Sequence, residues 1–217
     1  WSKFSYATWE SDSSGFYYQK YKKPDEALAD VNRSPQLYFH RLSEAQKEDK
    51  LIYQDEQNPN RSWSISVPEE GEYRVLSIGE GTDERNLVYI QFDKDGEFIP
   101  VIREFEATYN FLGGVNNTLW FYTTSDAPRG KVVSLKITQD GQYSWHDVIG
   151  ESNPISTVSI IGNKIIINYL KDTITEIKFF DLEGNYLSNL DFPYSGSING
   201  FYGNIRDNTT YFEFTNY

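Results

Sequence analysis

Short runs of aromatic and β-branched residues alternate with polar ones along most of the chain. SWSISV (62–67), YRVLSI (73–78), NLVYIQF (86–92), TLWFYT (118–123) and KIIINYL (164–170) are examples. Runs of this length and residue type predict β-strands, because branched and flat side chains fit a half-buried pleated surface. Gly, Asn and Asp punctuate them in the pattern of hairpin turns. Only residues 24–32 and 42–50 read as helical, and both fall in connections between strands.

The hairpins repeat. Residues 5–21, 62–78, 108–124, 155–170 and 198–215 align on turn positions Gly15, Gly71, Asn117, Asn163 and Asn208. A second hairpin follows each of the first four, with Tyr38, Tyr89, Ser134 and Phe179 in matching places. Four-stranded antiparallel units recurring about every 45 residues predict a β-propeller, in which no blade can bury its faces alone. A β-sandwich would not produce this register of matched double hairpins. The expected fold is therefore all-β, a β-propeller fragment of about four and a half four-stranded antiparallel blades. Residues 1–217 form one partial propeller domain, with repeats at approximately 3–56, 62–106, 107–150, 154–193 and an incomplete 197–217.

Composition narrows the function. Aromatic residues make up 17% of the 217, a supply that suits sheets. The net charge of −12 argues against a nucleic-acid partner, since a polyanion needs clustered Lys and Arg. No apolar run is long enough for a spanning helix, so no membrane role is expected. With no cysteine, there is neither a disulfide framework nor a thiolate metal site. The chain opens on WSKFSYATW and contains no Met, so a piece of a longer protein is expected. No signal segment is visible, and the expected compartment is the cytoplasm.

The candidate chemistry is sparse. GEGTDERN (79–86) resembles the start of a phosphate cradle, but Glu84 stands where a third glycine is needed and a strand follows instead of a helix. It reads as a loop between the second and third strands of its repeat. GSING (196–200) places Ile198 where a nucleophile elbow needs serine. His40 and His146 are the two histidines, and Asp147 beside His146 points to the opposite face of a strand. Asp93 and Asp95 before Gly96 open like a calcium loop, but the remaining ligands are missing and a hairpin turn is favoured. No catalytic residue, cofactor or metal is expected. Strand parity puts the entry to each first strand and each loop between second and third strands on one rim. Those longer, varied loops mark the expected functional rim.

KFSYATWESDSSGFYY (3–18), LSIGEGTDERN (76–86), FYTTSDAPRGKVVSL (121–135) and YFEFTNY (211–217) together resemble the prolyl oligopeptidase family of serine peptidases. The likeness runs through essentially the whole chain. It implies a propeller that caps an α/β-hydrolase domain carrying the catalytic triad, with this chain supplying later blades only. By the same resemblance Phe4 and Thr82 line the substrate cavity, an apolar cavity residue falls at Ser62 or Trp63, of which Trp63 is preferred, and Gly79 replaces an arginine that helps hold the peptide. The implied partners are the hydrolase domain and short proline-containing peptides, with self-association expected through open blade edges. Two other classes compete: a stand-alone ligand- or protein-binding propeller, and a propeller glycosidase with carboxylates about 5–10 Å apart.

Overall fold

The computed structural model describes residues 2, 5–23, 32–68, 73–92, 96–138, 141–172, 174–192 and 196–216. Among them, all regular elements are β-strands apart from one 3-10 turn. The chain divides into two compact units, Trp1–Glu106 and Ala107–Tyr217.

The first unit holds two four-stranded sheets. One is β1 (Thr8–Trp9), β2 (Gly15–Lys20), β3 (Gln36–Arg41) and β4 (Lys50–Gln54), adjacent in that order. The other is β5 (Arg61–Ser66), β6 (Arg74–Glu80), β7 (Leu87–Gln91) and β8 (Phe98–Ile102), again in order. Neighbouring strands pair antiparallel throughout. In β5, Trp63 and Ile65 are buried while Ser62 and Ser64 are exposed, the alternation expected of a strand with one face in a core. That face, with Leu76, Ile78 and Leu87, packs on Tyr17, Leu37 and Phe39 of the first sheet. Tyr53 stands edge-on to Trp63 at 5.1 Å, Tyr89 at 6.2 Å and Phe98 at 6.0 Å. Tyr53 of β4 thus packs against the first, third and fourth strands of the next sheet.

The second unit holds β9 (Tyr109–Val115), β10 (Thr118–Thr123), β11 (Lys131–Ile137) and β12 (Tyr143–Ile149) as one sheet. Its second sheet is β13 (Ile155–Ile161), β14 (Lys164–Lys171), β15 (Ile174–Phe180) and β16 (Tyr186–Leu190). A two-stranded hairpin follows, β17 (Gly196–Tyr202) and β18 (Tyr211–Asn216). β14 is almost continuously apolar because it is covered on both faces. Ile165, Ile167 and Tyr169 pack with Trp120, Val132 and Ile149, whereas Ile166 packs with Ile198 and Phe201 of the hairpin. Burying each such side chain stabilises the fold by about 1.5–3 kcal/mol.

The matched residues Tyr38, Tyr89, Ser134 and Phe179 all lie in third strands, opposite Tyr18, Leu76, Trp120 and Ile166. Gly162 and Asn163 make the β13–β14 turn with φ of 58° and 57°, a geometry that favours Gly and Asn. Several expectations change. Residues 42–50 are not a helix: Gln46–Glu48 form a 3-10 turn, after which Asp49 is drawn inward by Tyr18 and His40. Of the expected helix at 24–32, residues 24–31 lie outside the described residues, as do Gly71, Asp93 and Asp95. Gly15 is no turn residue. It lies in β2 opposite Arg41, and a Cβ there would meet the His40 carbonyl at 2.2 Å, so close approach of two backbones demands glycine. Asn208 sits in a long connection between β17 and β18, not in a tight turn.

Candidate functional site

The expected functional rim is built in the first unit where β5 begins and β6 ends. Arg61 opens β5 opposite Glu80, the last residue of β6. Its Nη1 donates to Asp55 Oδ2 at 3.0 Å, and the guanidinium lies 5.5 Å from the Phe105 ring centre. Asp55 also accepts from the backbone N–H groups of Gln57 and Asn58 and from the Asn58 side chain. Burial by itself would raise the Asp55 pKa. The hydrogen bonds from Asn58 and Arg61 outweigh it and hold the carboxyl below its ordinary range.

Beyond Glu80 the chain turns at Gly81, φ 60°, into the β6–β7 loop. Thr82 is exposed on that loop. Asp83 and Arg85 stabilise the loop from within: the Arg85 backbone N–H and Nε both donate to Asp83 Oδ1 at 2.9 Å, and Nη2 donates to Oδ2 at 2.6 Å. The guanidinium and backbone bonds lower Asp83 to about 2. Asn86 closes the loop by donating to Ser77 Oγ at 2.9 Å. A Cβ built on Gly79 meets nothing within 4 Å, so the glycine leaves open space rather than accommodating a neighbour.

Trp63 is two residues into β5 and 3% exposed, packed among the apolar side chains between the two sheets. Its Nε1 is buried and without a hydrogen-bond partner among the described residues. Phe4 lies outside the described residues, but its neighbours are placed. Ser2 Oγ donates to the Gln19 carbonyl at 2.8 Å, and Ser5 Oγ accepts from the Gln19 N–H at 2.8 Å. Gln19 Nε2 in turn donates to the Trp63 carbonyl. The end of β2 therefore links Ser2 and Ser5 to the Trp63 carbonyl, while Thr82 is exposed on the β6–β7 loop.

Both histidines are engaged. His40 Nδ1 is 2.8 Å from Asp49 Oδ1, whose carboxylate also accepts from the Tyr18 hydroxyl. Burial, then the Asp49 hydrogen bond, push Tyr18 up to about 12. His146 Nε2 is 2.8 Å from Ser144 Oγ, and Asp147 faces the other way to pair with Lys131 at 2.9 Å. Among the described residues no group of three or more His, Asp or Glu side chains could hold a metal ion.

One buried cluster had no signal in the sequence. Arg74, 1% exposed, donates from Nη2 to Glu10 Oε1 at 2.7 Å and from Nε to Glu10 Oε2 at 3.2 Å and to the Tyr17 hydroxyl at 3.1 Å. Tyr17 donates to Glu10 Oε2 at 2.8 Å. Burial opposes the charge on Glu10, but bonds from Arg74 and Tyr17 overcome it and lower the carboxyl. The cluster fastens β6 of the second sheet to the β1–β2 turn and β2 of the first.

The comparisons with known proteins fit this architecture. The family model of the prolyl oligopeptidase N-terminal β-propeller domain matches residues 1–217. The prolyl endopeptidase of Elizabethkingia meningoseptica is 31% identical over 217 residues, covering 99% of this chain and 31% of that protein. The dual-function macrocyclase-peptidase of Amanita bisporigera is 30% identical over 206 residues, covering 90% of this chain and 28% of that protein. A solved prolyl endopeptidase structure superimposes with a TM-score of 0.89 at 27% identity, over 99% of this chain and 31% of that one. The fold also matches prolyl oligopeptidase B from Galerina marginata bound to a 35mer substrate, with a TM-score of 0.87 at 24% identity over 98% of this chain and 30% of that one. The chain thus spans under a third of the length of these relatives, and its sheets are propeller blades. It belongs to the prolyl oligopeptidase family, within the N-terminal β-propeller domain.

Proposed function

We propose that this chain is the non-catalytic propeller portion of a prolyl-oligopeptidase-like serine peptidase, and that it restricts which peptides reach the hydrolase domain. The whole protein cleaves short peptides after proline, in the cytoplasm, with the α/β-hydrolase domain as the propeller's partner. The observation that carries this reading is the match of the family's propeller domain to all 217 residues. Phe4 and Thr82 border the peptide path, with Trp63 enclosed between the sheets behind it. The support is local: Gln19 bonds to Ser2, Ser5 and the Trp63 carbonyl, and Thr82 is presented on an exposed loop. The polar groups within the chain favour a passive role. Asp49 orients His40, but Ser2 and Ser5 bond to the Gln19 backbone, and His146 meets Ser144 with no carboxylate aligned on it among the described residues. A catalytic triad needs all three groups in series.

Two measurements test this. The chain alone, assayed on a proline-containing reporter peptide, should show no turnover; activity that co-purifies with it and is blocked by a serine-directed inhibitor would overturn the division of labour. In the whole protein, Thr82→Trp should lower kcat/KM for longer peptides more than for a minimal reporter, at unchanged melting temperature. An equal effect at every peptide length would remove Thr82 from the path.

A further inference from the structure

Glycine inside a β-strand weakens it, so its presence there needs a reason: a conformation or a close contact that forbids a side chain, or a surface that another molecule approaches. Gly15, Gly196 and Gly200 have reasons within the fold. A Cβ would run into the His40 carbonyl at Gly15, into the Thr215 carbonyl at Gly196, and into Phe212 Cα at 2.9 Å at Gly200, where φ is also 111°. Gly79, inside β6, has none of these. Its φ lies outside the left-handed region, and a Cβ built there meets nothing within 4 Å. Neither conformation nor packing asks for glycine at 79, which leaves the approach of another molecule.

The surroundings of Gly79 say what approaches. It pairs with Ser62 of β5, and residues opposite each other in an antiparallel pair share a face of the sheet. That face is turned away from the one on which Trp63 and Ile78 are buried. Ser62 is exposed, so two neighbouring strands carry almost no side chain at this point. The β6–β7 ladder ends one residue earlier, at Ile78 and Leu87, and Gly79 has no partner on β7. Three residues on, Thr82 is exposed on the β6–β7 loop, which places this bare floor at the same corner of the rim. Arg61 donates to Asp55 at 3.0 Å and Arg85 to Asp83 at 2.6 Å, so both guanidinium groups of the corner are engaged within the chain. The floor discriminates by room rather than by charge.

We infer that Gly79 is a specificity-determining position, and that the floor it forms with Ser62 receives a large uncharged side chain of the peptide. On the peptide path proposed above, on which this rests, the preferred substrates carry an aromatic or long aliphatic residue next to proline. Such a side chain loses water-exposed apolar area by lying on the bare strands, a gain that a small residue cannot match. A side chain at position 79 fills the same space, so it competes with the substrate and not with the fold.

Gly79→Leu in the whole protein tests this with two reporter peptides that differ only in carrying Phe or Ala beside proline. The variant should keep the melting temperature of the unsubstituted protein, and its kcat/KM for the Phe peptide should fall about tenfold or more relative to the Ala peptide. Gly79→Ala should lie between. An uncleavable peptide with benzoylphenylalanine in place of Phe, photoactivated in the complex, should label residues 61–63 or 78–82 of the unsubstituted protein and lose that label in Gly79→Leu. The assignment is overturned by a lowered melting temperature in both variants, because the glycine would then serve the fold. It is equally overturned by equal losses for the two peptides, by no loss for either, or by labelling elsewhere. If the unsubstituted protein cleaves neither peptide, the proposed function fails and the assignment with it. If it cleaves both and Gly79→Leu leaves their ratio unchanged, the assignment alone fails.

Discussion

The two units hold neighbouring sheets together by different physics. In the first, Glu10, Tyr17 and Arg74 form a buried, fully bonded ionic cluster beside an aromatic core. In the second, the seam is largely aliphatic, with Ile160, Ile165 and Ile167 against Val132 and Ile149, and neutral polar links that include Trp120 Nε1 to the Leu182 carbonyl at 3.1 Å and the Ile155 N–H to the Arg129 carbonyl at 2.9 Å. Apolar contacts are tolerant of small shifts. A buried ion pair is not, since desolvation of two charges is offset only when every bond is made. The comparison teaches that the repeat prescribes strand order, whereas each seam is free to choose its own means of adhesion. The first unit gains a defined relative placement of its sheets, next to the rim where Trp63 and Thr82 stand.

The largest expected effect breaks the polar seam. Arg74→Ala strands a buried carboxylate and should cost about 3–5 kcal/mol, read by urea unfolding. Replacing the pair together, Arg74→Met with Glu10→Leu, should recover most of that loss. Failure to recover would mean that the cluster supplies net stability and not only placement. Ile167→Ala in the second unit should cost about 2–5 kcal/mol, with no partner substitution able to restore it. Hydrogen exchange resolved by segment would locate each loss in its own unit.

Acid provides a subtler contrast. The Glu10 carboxyl is lowered in the folded protein, so its stabilisation is complete above the ordinary carboxylate value of 4.5 and drains as pH falls through the depressed value. Exchange protection in the first unit should therefore fade before that of the second on acidification, and Glu10→Gln should abolish this order. Simultaneous fading in the unsubstituted chain would dissolve the contrast. Alkali discriminates less. Tyr17 is raised to about 12 by burial and by Glu10, so its contribution holds below 10 and is lost towards 12, but burial raises Tyr169 in the second unit as well. The smallest effect belongs to the exposed Asp83–Arg85 pair: Asp83→Asn should leave the melting temperature unchanged, because solvent screens it.

Local pattern was enough to read the strands and their repetition, because period-two burial leaves its mark directly in residue type. Trp63 and Ile65 against Ser62 and Ser64, or the doubly covered KIIINYL run, can be read without coordinates. Turns with positive φ, such as Gly162–Asn163, were legible for the same reason. Residues 42–50 were not, since their conformation follows from Asp49 bonding to Tyr18 and His40, partners distant in sequence. Gly15 looked like a turn glycine, and only the packing of β2 on the His40 carbonyl reveals its different role. For the candidate site, the sequence located the loop bearing Thr82, but tertiary structure decided that Trp63 is enclosed and that Gln19 joins its carbonyl to Ser2 and Ser5. The Glu10–Tyr17–Arg74 cluster lay wholly beyond sequence reading: an Arg opening a strand and a Glu beside a turn look solvent-exposed until two sheets close over them. Hydrophobic periodicity is a property of neighbours along the chain, whereas ion pairing and desolvation belong to neighbours in space.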